Sequence, residues 1–177
     1  MKKLFLITIT ILSFTSVSVS AQEVTSTFKI NPLSALFKTG SLFFEHKVAA
    51  KSSLQLGAAY TALKFDETKF TGFSITPEYR YFPKGNALSG IYLGPYLRYQ
   101  NLTLTAGDSK GSYSSIGGGA VIGRQWVYKS GFVFDLFFGP SYNSGKVKAD
   151  PGSSEPEVKA GIDGFGLRTG IALGFGF

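Results

Sequence analysis

The last thirteen residues of the chain, Phe165 to Phe177, alternate bulky apolar side chains with small or polar ones and stop on an aromatic. Successive side chains of a strand point to opposite faces. One face therefore carries Phe165, Leu167, Thr169, Ile171, Leu173, Phe175 and Phe177, and the other carries Gly164, Gly166, Arg168, Gly170, Ala172, Gly174 and Gly176. The bulky face needs apolar surroundings, while the thin face has too little volume to build a soluble core. A barrel with lipid outside and a narrow polar interior satisfies both requirements.

The same period-two pattern recurs, broken by turn-forming clusters, in about eight candidate strands long enough to cross a bilayer at a tilt. Leu54, Leu56, Ala58 and Tyr60 oppose Gln55, Gly57, Ala59 and Thr61; Phe73, Ile75, Pro77, Tyr79 and Tyr81 oppose Ser74, Thr76, Glu78 and Arg80. Leu93, Pro95, Leu97 and Tyr99 oppose Tyr92, Gly94, Tyr96, Arg98 and Gln100, and Phe132 to Tyr142 alternates in the same way around Asp135. The charges fall on the thin face each time. An even count returns both ends of an antiparallel ring to one side. The first two candidates, Val24 to Phe37 and Ser41 to Val48, are less regular, with Asn31-Pro32 predicting a bulge or kink. The sixth, Ser114 to Tyr128, puts Arg124 in register with Ile122 and Trp126, so that Arg124 either snorkels beside Trp126 or is turned inward by a bulge.

Linker lengths predict short periplasmic turns at Ala49 to Ser52, Pro83 to Ser89 and Lys129 to Gly131. Outer loops are expected near Lys38 to Gly40, Asp66 to Lys69, Thr105 to Tyr113 and Ser144 to Gly161. Tyr79, Tyr81, Tyr99, Trp126 and Tyr128 fall near the periplasmic ends in this scheme and are expected to form an aromatic girdle.

At the other end of the chain, Lys2 and Lys3 precede the apolar run Leu4 to Leu12 and a small-residue stretch ending at Ala21. This is the pattern of a cleaved secretory signal over residues 1–21, which leaves residues 22–177 as one barrel domain. The apolar run is shorter than the ~20 residues of a membrane-spanning helix. Loss of Lys2 and Lys3 lowers the net charge from +7 to +5, without a basic stripe of the kind nucleic-acid binding needs. The chain has no Cys and one His, which argues against disulfides, thiol chemistry and a zinc site. No cofactor is expected.

The predicted inward face holds Lys29, Glu45, Glu78, Arg80, Arg98, Asp135 and Arg168, nearly balanced in sign. Eight strands leave room inside for side chains but little for a pore, so these charges read as a structural network that plugs the lumen. His46 follows Glu45 near the predicted periplasmic end and reads as an interfacial structural residue, not a catalytic base. The Gly117 to Gly123 run lacks both the spacing and the βαβ setting of a dinucleotide-binding loop and instead gives room for bending or for lumen contacts.

Several stretches carry a family likeness: Lys29-Ile30-Asn31-Pro32-Leu33, Gly40-Ser41-Leu42-Phe43-Phe44-Glu45, Phe73 to Tyr81, Gly90 to Tyr96, and the terminal Phe177. Through them the chain resembles the small outer-membrane β-barrels common in Bacteroidota, a family annotated mainly as of unknown function, and in general plan the barrel of OmpA-like proteins. The resemblance implies an all-β fold, an eight-stranded antiparallel up-and-down transmembrane β-barrel, in the outer membrane of a Gram-negative bacterium after export through the periplasm. It also implies that Phe175 and Phe177 serve as a signal to the barrel-assembly machinery, although Ala172 stands where that signal usually has glycine. The expected partners are outer-membrane lipid, lipopolysaccharide, that machinery and an extracellular ligand for the outer loops, with the barrel a monomer. The expected role is non-enzymatic: envelope structure or loop presentation. The alternatives are a narrow small-solute pore, a barrel enzyme acting on lipid or protein, and a soluble lipocalin-like barrel with an apolar inside.

Overall fold

The computed structural model describes residues 24–65, 68–106, 109–149 and 163–177. The expected signal segment and residues 150–162 of the expected fourth outer loop lie outside the described residues. The strands are β1 (Ser26–Ile30), β2 (Thr39–Ala49), β3 (Ser52–Phe65), β4 (Thr68–Tyr81), β5 (Gly90–Ala106), β6 (Ser109–Val127), β7 (Phe132–Ala149) and β8 (Gly164–Gly176). Each pairs antiparallel with the next in chain order, and β1 pairs with β8, so hydrogen bonds close the eight strands into a ring. The ends of the chain fasten the closure: the Thr25 and Ser26 amides both donate to the Phe177 carbonyl, at 3.0 and 2.9 Å. No helix among the described residues is long and apolar enough to cross a membrane.

Alternation sorts the side chains as the sequence predicts. Leu56, Leu97, Ile116, Phe165 and Leu167 are exposed on the outside, whereas Lys29, Glu45, Glu78, Arg80 and Asp135 are buried within the ring. Arg124 lies on the outer face, exposed, with its guanidinium 4.8 Å from the Trp126 ring centroid. Its pairing with Ile91 and Leu136 is continuous, so no bulge turns it inward and it stands beside Trp126 on the outer face.

Three expectations about strand ends are corrected. The first candidate strand stops at Ile30, because the Asn31 side chain accepts from the Ser34 amide and Pro32 presets the backbone, starting a 3-10 helix (Pro32–Phe37) in place of a kinked strand. The outer loop expected at Thr105 to Tyr113 is mostly strand: β5 runs to Ala106, β6 begins at Ser109, and Leu104 pairs with Gly111. Likewise β7 continues through Ser144 to Ala149.

These longer strands reverse their amphipathic sense as they rise. Beyond Tyr99 and Ile116, the inward side chains Phe70, Leu102, Leu104 and Tyr113 form a buried apolar cluster, while Thr103, Ser114, Lys146 and Lys148 are exposed outside. The Tyr113 hydroxyl and the Gly145 amide both donate to Asp163 Oδ1, at 2.9 and 3.0 Å, which ties β6 and β7 to the start of β8. At this level, burial pushes the Tyr113 phenol up to about 12.

Gly123 is the one glycine of the 117–123 run on which the interior depends most directly, since a Cβ there would collide with the Tyr92 ring. We predict that Gly123→Val lowers stability by about 1–3 kcal/mol, read as a lower urea midpoint of the folded protein.

Candidate functional site

At the turn-bearing end of the ring, side chains from all eight strands converge on one buried layer. Lys29 of β1 reaches across the lumen, its Nζ donating to Glu45 Oε2 and Gln125 Oε1, both at 2.5 Å, and to Asp135 Oδ2 at 3.1 Å. Arg80 of β4 lies beside it: Nε donates to Glu78 Oε1 at 2.6 Å, and Nη1 to Asp135 Oδ2 at 2.8 Å, Gln125 Oε1 at 3.1 Å and Glu45 Oε2 at 3.2 Å. Ser53 donates to Glu45 Oε1 at 2.5 Å, and the Tyr92 hydroxyl to Asp135 Oδ1 at 2.9 Å. The Arg80 guanidinium also stacks 4.2 Å from the centroid of the Tyr92 ring. Arg168 of β8 donates to Glu78 Oε2 and lies 4.3 Å from the Tyr96 ring centroid. Each carboxylate therefore bridges two cations or a cation and hydroxyls, which is how buried charge is made tolerable.

The end of the ring below this layer is closed by the turn between β4 and β5. Phe82 and Leu88 of that turn are buried, the Phe82 ring lies 5.4 Å from Tyr92, and Gln125 Nε2 donates to the Leu88 carbonyl at 2.8 Å. Leu88 takes a φ of 72°, an unusual backbone for a leucine, held by this packing. The sequence reading missed Gln125, Ser53 and Leu88. For the first two the signal was available, since both have inward parity beside named charges. For Leu88 there was none, because turn residues have no parity.

Above the layer the lumen opens into a cavity of about 570 Å³. Phe43, Phe137, Leu33 and Phe37 supply apolar wall, and Arg98, Arg168, Gln100 and Thr76 supply polar wall. The small inward residues Gly57, Ala59 and Ser74 leave this space, as does Gly170, where a Cβ would strike Phe137 and the Asn31 amide.

The expected charge set is thus brought together with one exception. Arg98 lies above the layer; among the described residues it has no carboxylate partner, and its ring contact is Tyr96, 5.5 Å to the centroid. The expected girdle is also divided. Tyr79 and Tyr81 stand opposite Leu54 and Ser52, and Trp126 and Tyr128 flank the turn before Phe132, all at one end. Tyr99 does not join them. It pairs with Ile75 and Ile116, six residues along β5 from the Leu93 that faces Tyr81, which is about 20 Å of strand. His46 is exposed on the outer face, its Nδ1 2.9 Å from Ser26 Oγ. Phe175 and Phe177 are exposed on the same face, Phe175 against Phe132.

Removing Arg80 leaves each of three buried carboxylates one cation short, so Arg80→Met is expected to cost about 3–5 kcal/mol. Arg98→Gln strands none and should cost under ~1 kcal/mol by the same reasoning, both read from urea midpoints.

No curated protein and no solved structure matches the chain. One family model matches over residues 6–159, a span that takes in the 3-10 helix, the charged layer except Arg168, and the cavity lining except its part on β8. The chain belongs to the DUF3575 family, described as proteins of unknown function.

Proposed function

We propose that this chain is an integral outer-membrane β-barrel of a Gram-negative bacterium, non-enzymatic, that contributes to envelope structure and presents its outer rim for binding. The observation that carries this reading is the inverted distribution of side chains. Leu97 and Leu167 are 65% and 70% exposed on the outside, while Lys29, Glu45 and Arg80 are 0% exposed within. A soluble lipocalin-like barrel requires the opposite. The outward face of β8 from Phe165 to Phe175 is apolar except at Thr169, with Phe165, Leu167 and Phe175 exposed and Ile171 and Leu173 partly so, over about 33 Å of strand. A strand tilt of about 40° reduces this to roughly 25 Å, the height of an outer-membrane apolar band. Above that band the outer face turns polar, as a rim in water needs.

The remaining parts of the proposal follow from this placement. Export uses the segment 1–21, Phe175 and Phe177 are read by the assembly machinery, and the barrel stands as a monomer among lipid and lipopolysaccharide. Lys146 and Lys148 are exposed on the rim, within reach of lipopolysaccharide phosphates. The Lys29–Arg80 layer and the Leu88 turn leave a solute no open path, which weighs against the pore.

The test is to express the full-length chain and fractionate the envelope. An outer-membrane species whose electrophoretic migration changes on heating is the expected result; a soluble periplasmic protein overturns the proposal. In planar bilayers the purified protein is expected to give no conductance steps, and regular steps would restore the pore reading.

A further inference from the structure

We infer that the outer half of the lumen is a binding cavity for a small anionic amphiphile, one carboxylate or phosphate head on an apolar chain, with Arg98 as the cation that receives the head. Three observations converge on it.

The first is charge. Among the described residues, the buried layer and the cavity above it hold four cations, Lys29, Arg80, Arg98 and Arg168, against the three carboxylates Glu45, Glu78 and Asp135. All three carboxylates are engaged by Lys29, Arg80 or Arg168. Arg98 is the surplus cation: among the described residues no carboxylate forms an ion pair with it, and its ring contact is Tyr96. A half-buried guanidinium in that position favours an incoming anion, and the planar fork suits a carboxylate or phosphate.

The second is the composition of the walls. Beside Arg98 the cavity offers Phe43, Phe137, Leu33 and Phe37. A volume of about 570 Å³ exceeds what a bare inorganic anion needs and lies in the range of small-molecule sites. Apolar wall together with a cation that, among the described residues, no carboxylate pairs is the complement of an amphiphile.

The third is a route. The bonds between β1 and its neighbours end at Ile30, where the chain turns into the 3-10 helix. Above that level β8, from Gly164 to Ala172, pairs with β7 alone. The wall between β2 and β8 is there filled by the 3-10 helix, and among the described residues no backbone hydrogen bond joins that helix to β8. Leu36 and Phe37 of the helix are exposed, at 77% and 64%. The cavity lining includes Phe37, Thr39 and Ser41 on one side of this seam and Leu167 and Thr169 on the other. On this proposal a ligand from lipid enters by the seam and one from water by the ring mouth. The lipid source of the ligand rests on the transmembrane reading, whereas the cavity and its cation do not.

The experiment places the purified full-length protein in phosphatidylcholine nanodiscs and follows the phosphomonoester line by ³¹P NMR. Octyl phosphate is added to the water, octadecyl phosphate is carried in the bilayer, and inorganic phosphate serves as the control that lacks the apolar chain. Binding of either amphiphile is expected, and the one bound more tightly identifies the source: the outer mouth or the seam. Arg98→Gln should weaken that binding at least tenfold, Arg98→Lys should keep it within a few fold, and Ala59→Phe, which fills the cavity without touching a charge, should abolish it. Unchanged heat-dependent migration of each variant separates loss of binding from loss of fold. Binding of neither amphiphile, undiminished binding by Arg98→Gln, or inorganic phosphate bound as tightly as octyl phosphate overturns the inference. Failure of the membrane reading appears separately, as a soluble protein in the fractionation.

Discussion

Arg80 and Lys29 hold five strands to one another through the same three acceptors, Glu45, Gln125 and Asp135. Taking these charges out of water costs several kcal/mol per ion, and only near-complete hydrogen bonding offsets it. The geometry that achieves this is demanding, because β1, β2, β4, β6 and β7 must keep their relative heights for the atoms to meet. A slip of one residue would turn the charges outward. The buried layer is therefore best understood as what fixes register around the ring, more than as a source of net stability.

The layer also explains why the two halves of the lumen differ. Near the turns, long side chains fill a narrow space, and Phe82 and Leu88 close it from below. Toward the other end the inward positions are Gly57, Ala59, Ser74 and Gly170, which cannot fill an interior of the same width. The 3-10 helix replaces the missing upper part of β1 without supplying its backbone bonds. A filled half and an open half thus arise from side-chain volume, not from any change in strand number.

Along the longest strands the chemistry of the two faces exchanges places at about Tyr99 and Ile116. Below, apolar residues face out and polar residues face in; above, Phe70, Leu102, Leu104 and Tyr113 turn to one another and Lys146 and Lys148 face out. On the proposed transmembrane reading, a strand that keeps its geometry but passes from lipid into water must change its pattern, since apolar surface is favoured against lipid and penalised against water.

What the sequence by itself determined is the set of local decisions: which residues alternate, where Asn31-Pro32 and the short turns interrupt, and which side chains share the thin face. These are legible because a strand's period is two and needs no partner to define it. Parity placed Lys29, Glu45, Glu78, Arg80, Asp135 and Arg168 together correctly. Height was not legible, for parity says which face a residue takes and nothing of where along the neighbour it lies. That is why Tyr99 left the girdle, why β5 runs on to Ala106 and β6 starts at Ser109, and why Arg98 stands apart from the charged layer. Only the tertiary structure, through the register of eight strands closed on themselves, decided which inward charges meet, which one is left over, and where the cavity opens beside it.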